Sequence, residues 1–260
     1  MPFSTEFLAA VASTTVFGLI LLRAIKTFGC AGKASYVLST LHAIAILLLT
    51  GYTIFVECWD TYDHHCHFDS HINSAFQQMT LLISLGYFVI DSVVVLWLAP
   101  DVSASLHHIS IIAGQIAAIS SGLPADPSSD LIFQTSGSSG YALACFLFAA
   151  ELSAPLLNAF LSGLTIEGTQ VDFITRASFA FVFIVSRLVV CPFLTYEFLV
   201  NSPRAHIVPK LVCLFVMGIS VYWSKSIFAA ILEAIRGPLK KSKKMEDDGF
   251  VAVPARVKGE

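Results

Sequence analysis

Asp91, His107 and His108 are the residues of this 260-residue chain whose types and spacing point most directly to chemistry. An imidazole beside a carboxylate works as a general base, or as a nucleophile when it takes up an acyl group, provided that its neighbour orients the ring and tunes its proton affinity. His107 and His108 are adjacent, so on a helix their side chains diverge by about 100°. One of them is expected to face Asp91 squarely, and the other to meet a headgroup, Glu151 or water. Tyr87 and Asp91 are four apart and share a helix face. His107, His108 and Asp91 are therefore the catalytic candidates.

A wider polar set lies in the same apolar surroundings: His42, Tyr87, Asp91, His107, His108, Glu151, Asn158, Arg187 and Lys225. Ionisable groups at membrane depth are costly and mark a functional site by default, so these nine residues form a candidate lipid-binding pocket. Each also has a purely architectural role open to it. Glu151 and Arg187 read as a buried pair that fixes helix packing, and His42 as an interhelical hydrogen-bond donor. Asn158 reads as bonding the backbone freed near Pro155. Lys225, near mid-span, calls for a cavity or a partner.

The elements that must position these groups are set by composition. Hydrophobic residues make up 56% of the chain and charged ones 13%, with a mean hydropathy of +0.77. That places the chain outside the soluble globular range and in the class of integral membrane proteins. The apolar residues gather in stretches long enough to cross about 30 Å of hydrocarbon as helices, at about 5–22, 36–56, 78–98, 106–121, 140–162, 176–199 and 207–234. Ten-residue alternating segments, the mark of a membrane barrel, are missing. The expected fold is an all-α integral membrane protein with about seven transmembrane helices.

Arg23, Lys26 and Lys33 follow the first stretch, and Arg236, Lys240, Lys241, Lys243 and Lys244 follow the last. Basic flanks face the cytoplasm, and an even number of crossings between them supports seven spans over six. The N-terminus is then outside or lumenal and the C-terminus cytoplasmic. Arg204 and Lys210 fall on the wrong side for this rule. With basic residues after the first apolar run and none before it, an uncleaved helix is expected in place of a signal peptide. The organisation predicted is an N-terminal helix with a basic turn at 1–32, a six-helix membrane domain at 33–235 and a disordered cytoplasmic tail at 236–260.

The acidic loop at 57–77 would lie outside. It carries Cys58 and Cys66, a possible disulfide in an oxidising compartment. It also holds His64, His65, His67 and His71, whose irregular spacing reads as a solvated loop, with no metal site expected. The tetrapeptide Asp63-His64-His65-Cys66 matches that of the protein S-palmitoyltransferases, but without the surrounding cysteines that staple their zinc domain.

Taken in order, Gly86-Tyr87-Phe88-Val89-Ile90-Asp91, Leu106-His107-His108-Ile109-Ser110, Glu151-Leu152-Ser153-Ala154-Pro155-Leu156-Leu157-Asn158 and Arg187 in an aromatic-rich helix resemble the TLC-domain family over about residues 33 to 235. The resemblance implies a six-helix TLC-type bundle preceded by one extra N-terminal helix. It also implies an endomembrane location such as the endoplasmic reticulum and a role in membrane lipid homeostasis. Ceramide synthases of that family follow the histidine pair with further acids, whereas here Ile109 to Ser121 are almost wholly apolar. The reading favoured is a protein that holds a lipid or acyl chain at an intramembrane polar pocket, with membrane lipids as partners, no nucleic acid and no cofactor. The alternatives are a histidine-dependent acyltransferase using acyl-CoA as substrate and, by family analogy alone, an endomembrane cargo or translocon-associated protein.

Overall fold

The computed structural model describes residues 5–59, 66–68, 73–98, 102–121, 139–163, 165, 169–203 and 205–247. All regular structure among them is helical, and seven helical stretches are long and apolar enough to span a membrane. The helices are α1 (Thr5–Phe28), α2 (Ala31–Tyr52), α3 (Ala75–Leu98), α4 (Val102–Ser121), α5 (Gly140–Glu151), α6 (Ala154–Leu161), α7 (Gln170–Phe183), α8 (Cys191–Val200) and α9 (Ile207–Asp247). Two compact units divide at Ser220/Val221, inside α9.

In the first unit α2 and α3 are the hub: α2 packs against α1, α3, α5 and α6, and α3 against α1, α2, α4 and α5. The α1–α2 turn is as short as a helical hairpin permits. Gly29 takes the left-handed conformation (φ 63°) and its N–H bonds the Ile25 carbonyl at 2.8 Å, a cap that only glycine enters without strain. Cys30 is extended and α2 starts at once, so α1 and α2 run antiparallel side by side.

The first helix packs closely against α3 and α2. Gly86 of α3 lies so close to α1 that a methyl group there would stand 2.7 Å from the Thr14 backbone nitrogen and 2.2 Å from Ser13 Oγ. Ser13 Oγ in turn donates to the Ile83 carbonyl at 3.2 Å. Small residues at a crossing are how membrane helices approach closely when lipid offers no hydrophobic drive. Large apolar side chains such as Leu19, Leu22, Leu48, Phe181, Val189 and Phe193 are left exposed on the outside, the surface that hydrocarbon covers.

Two spans are interrupted. The fifth breaks at Leu152–Ser153 between α5 and α6. Pro155 has no N–H to give the Glu151 carbonyl, so the α-helical ladder fails there. The sixth passes through a π-helical stretch, Ile184–Val190, before α8. Pro192, at the first turn of α8, likewise withholds a donor, and Cys191 N–H reaches back five residues to Ser186. A shorter π turn, Thr53–Glu57, ends the second span.

The second unit begins at Val221, and within it α9 remains helical to Asp247. This departs from the irregular tail expected from 236. The stretch after Gly237 is rich in lysine, leucine, methionine and glutamate, all good helix formers. Residues 248–260 of the expected tail, and His64, His65 and His71, lie outside the described residues.

Candidate functional site

Asp91 is the centre of a buried polar cluster to which three helices contribute. Tyr87, one turn earlier on α3, donates its hydroxyl to Oδ2 at 3.0 Å. Ser35 of α2 donates to Oδ1 at 3.3 Å. From α4, His108 Nε2 stands 3.4 Å from Oδ2. Asp91, His107 and His108 are all buried. Hydroxyl, imidazole and carboxylate from three helices thus meet at one point, as a carboxylate inside a bilayer requires.

The two histidines divide as adjacent helical residues must. His108 turns to Asp91, while His107 lies within electrostatic reach of Arg187. Both are buried, so neither opens to bulk water. Phe88 stands edge-on to both, with ring centroids 6.3 Å from His107 and 5.4 Å from His108.

A second group lies beside this centre. His42 is fully buried and stacked on Tyr87 with centroids 3.7 Å apart and planes 11° from parallel. Phe17 of α1 closes on both rings edge-on, at 6.2 and 5.8 Å. His42 Nε2 is 3.4 Å from Ser84 Oγ, and Gln115 Nε2 donates to the same hydroxyl at 2.7 Å. His42 is thus held by stacking and one long contact. Asn158 Nδ2 donates to Ser39 Oγ at 2.9 Å, which corrects the expected bond to freed backbone. The Pro155 break turns α6 so that Asn158 meets α2.

Glu151 and Arg187 sit at the two interruptions: the acid is the last residue of α5 and the base lies within the π-helical stretch. Both are buried. Their charges interact, and Glu151 also interacts with Asp91, so these residues adjoin the Asp91 centre. The direct packing pair expected from sequence is not formed, however. Nε and Nη1 of Arg187 hold no hydrogen bond. Lys225 belongs to the second unit, where it is exposed.

Sequence reasoning missed Ser35, Ser39, Ser84, Gln115 and Phe17. The signal was periodic. Gln77, Thr80, Ser84, Tyr87 and Asp91 recur every three or four residues along α3, and all are buried. Ser35, Ser39 and His42 recur at the same spacing on α2, His42 fully buried and the two serines partly so. A polar stripe at that spacing on an otherwise apolar helix marks an inward face.

Cys58 and Cys66 are joined by a disulfide with Cα atoms 5.4 Å apart. Among the described residues no group of three His, Cys, Asp or Glu side chains is placed to hold a metal ion. A small enclosed cavity of about 20 Å³ lies between α4, α5 and the first turns of α9, beside Gln115, with apolar neighbours including Ile111, Phe146 and Val216. It is no larger than a single water needs.

Fold and site together define a multi-pass helical membrane protein whose spans enclose a cluster of titratable side chains. No protein-family model matches the chain, and no curated protein and no solved structure matches it.

Proposed function

We propose that this chain is a TLC-type membrane protein of lipid homeostasis, holding a lipid or acyl chain whose polar end engages the cluster around Asp91. One observation carries the reading. Five titratable side chains from four spans, Asp91, His107, His108, Glu151 and Arg187, are drawn together and buried. Interhelical hydrogen bonds stabilise membrane bundles by only about 0.6 kcal/mol each, so packing alone gives little reason to accumulate titratable groups there. The resemblance to the TLC-domain family implies an endomembrane such as the endoplasmic reticulum, and the basic flanks of the first and last spans support an N-terminus that is lumenal and a C-terminus that is cytoplasmic.

The test is lipid retention. Protein purified in mild detergent carries a lipid that mass spectrometry detects, and His108→Ala changes its occupancy. Preparations free of lipid at full folding would end this reading.

One feature favours acyl transfer as a second reading. His108 has Nε2 toward Asp91 while its buried Nδ1 carries no hydrogen bond, the arrangement in which a carboxylate orients a ring whose far nitrogen serves as base. Nδ1 would take the proton of an amine or hydroxyl acceptor as that atom attacks an acyl-CoA thioester, and CoA would leave as thiolate and be protonated. Incubation with acyl-CoA and a panel of amine and alcohol acceptors would yield a product that His108→Ala abolishes. No product over the panel rejects it.

A further inference from the structure

Arg187 is the least satisfied charged group of the described chain. It is 7% exposed, and two of its three nitrogens, Nε and Nη1, are buried without an acceptor. An arginine cannot escape this by losing its proton. Leaving a buried charged donor unsatisfied is strongly unfavourable, and inside a bilayer more so. Glu151 lies within electrostatic reach but supplies no hydrogen bond to Nε or Nη1.

The backbone around Arg187 adds a second, independent observation. It lies in a π-helical stretch that packs against α5, and Glu151 ends α5 at a break. Neighbouring Ser186 Oγ is also buried with no hydrogen-bond partner. π-Turns inside helices concentrate at functional sites. Interrupted membrane helices facing one another are a recurring way to build a binding site within the bilayer.

Depth indicates what arrives there. Asp91 lies little more than a turn before the end of its span at Leu96, and His107 little more than a turn after the start of its span at Val102. At 1.5 Å per residue Asp91 and His107 are about 8 Å inside that boundary, and Arg187, near the middle of its span Gln170–Val200, lies deeper. A lipid of the adjoining leaflet reaches the level of Asp91 and His107 with its polar end while its chains remain in hydrocarbon, and Arg187 meets that end from the deeper side.

We infer that Arg187, with Ser186 and His107 beside it, receives an anionic oxygen group of a lipid: the carboxylate of a fatty acid or the phosphate of a phospholipid headgroup. Planar guanidinium N–H groups match both. The inference rests on the lipid-holding role proposed above and specifies the chemistry of the bound end. A trapped water would satisfy the donors as well, but it predicts no preference for charge.

Full-length protein in mixed micelles is offered two matched pairs, oleate against methyl oleate and dioleoylphosphatidic acid against dioleoylglycerol, with retention read by native mass spectrometry. Wild type should retain the anionic member of one pair about tenfold over its neutral partner, the scale of a charge-assisted hydrogen bond. The pair that shows the preference names the source. Arg187→Gln levels the two and Arg187→Lys keeps part of the difference; should Arg187→Gln not fold, the wild-type ratios and Arg187→Lys decide. Equal retention of neutral and anionic members by wild type overturns this inference and leaves lipid holding intact. Retention of none of the four lipids overturns both.

Discussion

Asp91 illustrates how a single residue organises its surroundings. It accepts from Tyr87 and Ser35 and faces His108, so Asp91→Ala strands three partners while Asp91→Asn keeps acceptor and shape. At about 0.6 kcal/mol per interhelical bond, plus the cost of unsatisfied buried groups, Asp91→Ala should destabilise by about 2 kcal/mol. A thermal melt of the purified protein should then fall by several degrees, with Asp91→Asn much closer to wild type. Equal melts for the two would show the carboxylate to be a bystander. Cys30 allows a different residue-scale test. It is exposed in the α1–α2 turn, where the backbone N–H groups of Lys33 and Gly32 face its sulfur and hold its thiol below the ordinary range. A lowered pKa populates the thiolate at lower pH, and the thiolate is the nucleophile. Maleimide labelling of Cys30 should therefore reach half its maximal rate at lower pH than a free-cysteine peptide. A midpoint at or above that of the peptide would contradict this.

Between helices, close approach is the deciding quantity. Gly86→Ala drives a methyl into the backbone of α1 at Thr14, and because backbone cannot swing aside the cost should be about 1–3 kcal/mol. Gly218→Ala, with nothing within 4 Å of the new methyl, should be neutral or slightly stabilising through helix propensity. Melts of the two variants side by side check the contrast; if Gly86→Ala is as harmless as Gly218→Ala, α1 is not seated on α3 as described. The spans themselves were legible in the sequence because an 18-residue apolar run has one inexpensive conformation in lipid. The Tyr87–Asp91 bond was legible for the same kind of reason, a fixed spacing of four. What periodicity left open was which faces meet. The seat of α1 depends on the fit between Gly86 and Ser13, and the Asn158 bond to Ser39 on how the Pro155 break turns α6. Neither is local in sequence. Hydropathy also carried no hint of the π-helical stretch, since Pro192 signals a break without specifying how the ladder is rejoined.

At the scale of the whole molecule the question is which face of the membrane each connection occupies, and the cysteines provide the means to ask it. Seven spans place successive connections on alternate sides, so Cys30, between the first and second, and the Cys58–Cys66 disulfide, after the second, are on opposite faces. The disulfide closes a short loop and persists only where the compartment is oxidising. The basic residues around Cys30, Arg23, Lys26 and Lys33, belong on the cytoplasmic face. Two unrelated forces, redox chemistry and charge, thus support the same proposed orientation. In sealed, cytoplasmic-side-out microsomes a membrane-impermeant maleimide should label Cys30 without reductant. Cys58 and Cys66 should become reactive only after the vesicles are permeabilised and reduced. Cys30→Ser should remove the first signal and leave the second. Labelling of Cys58 or Cys66 in intact vesicles after an impermeant reductant, with Cys30 silent until permeabilisation, would reverse the orientation. It would also move the Asp91–His107 end of the cluster to the lumenal leaflet, because these residues lie near the same end of the bundle as the α1–α2 turn. The orientation therefore determines which leaflet supplies the lipid, and the labelling pattern predicts that it is the cytoplasmic one.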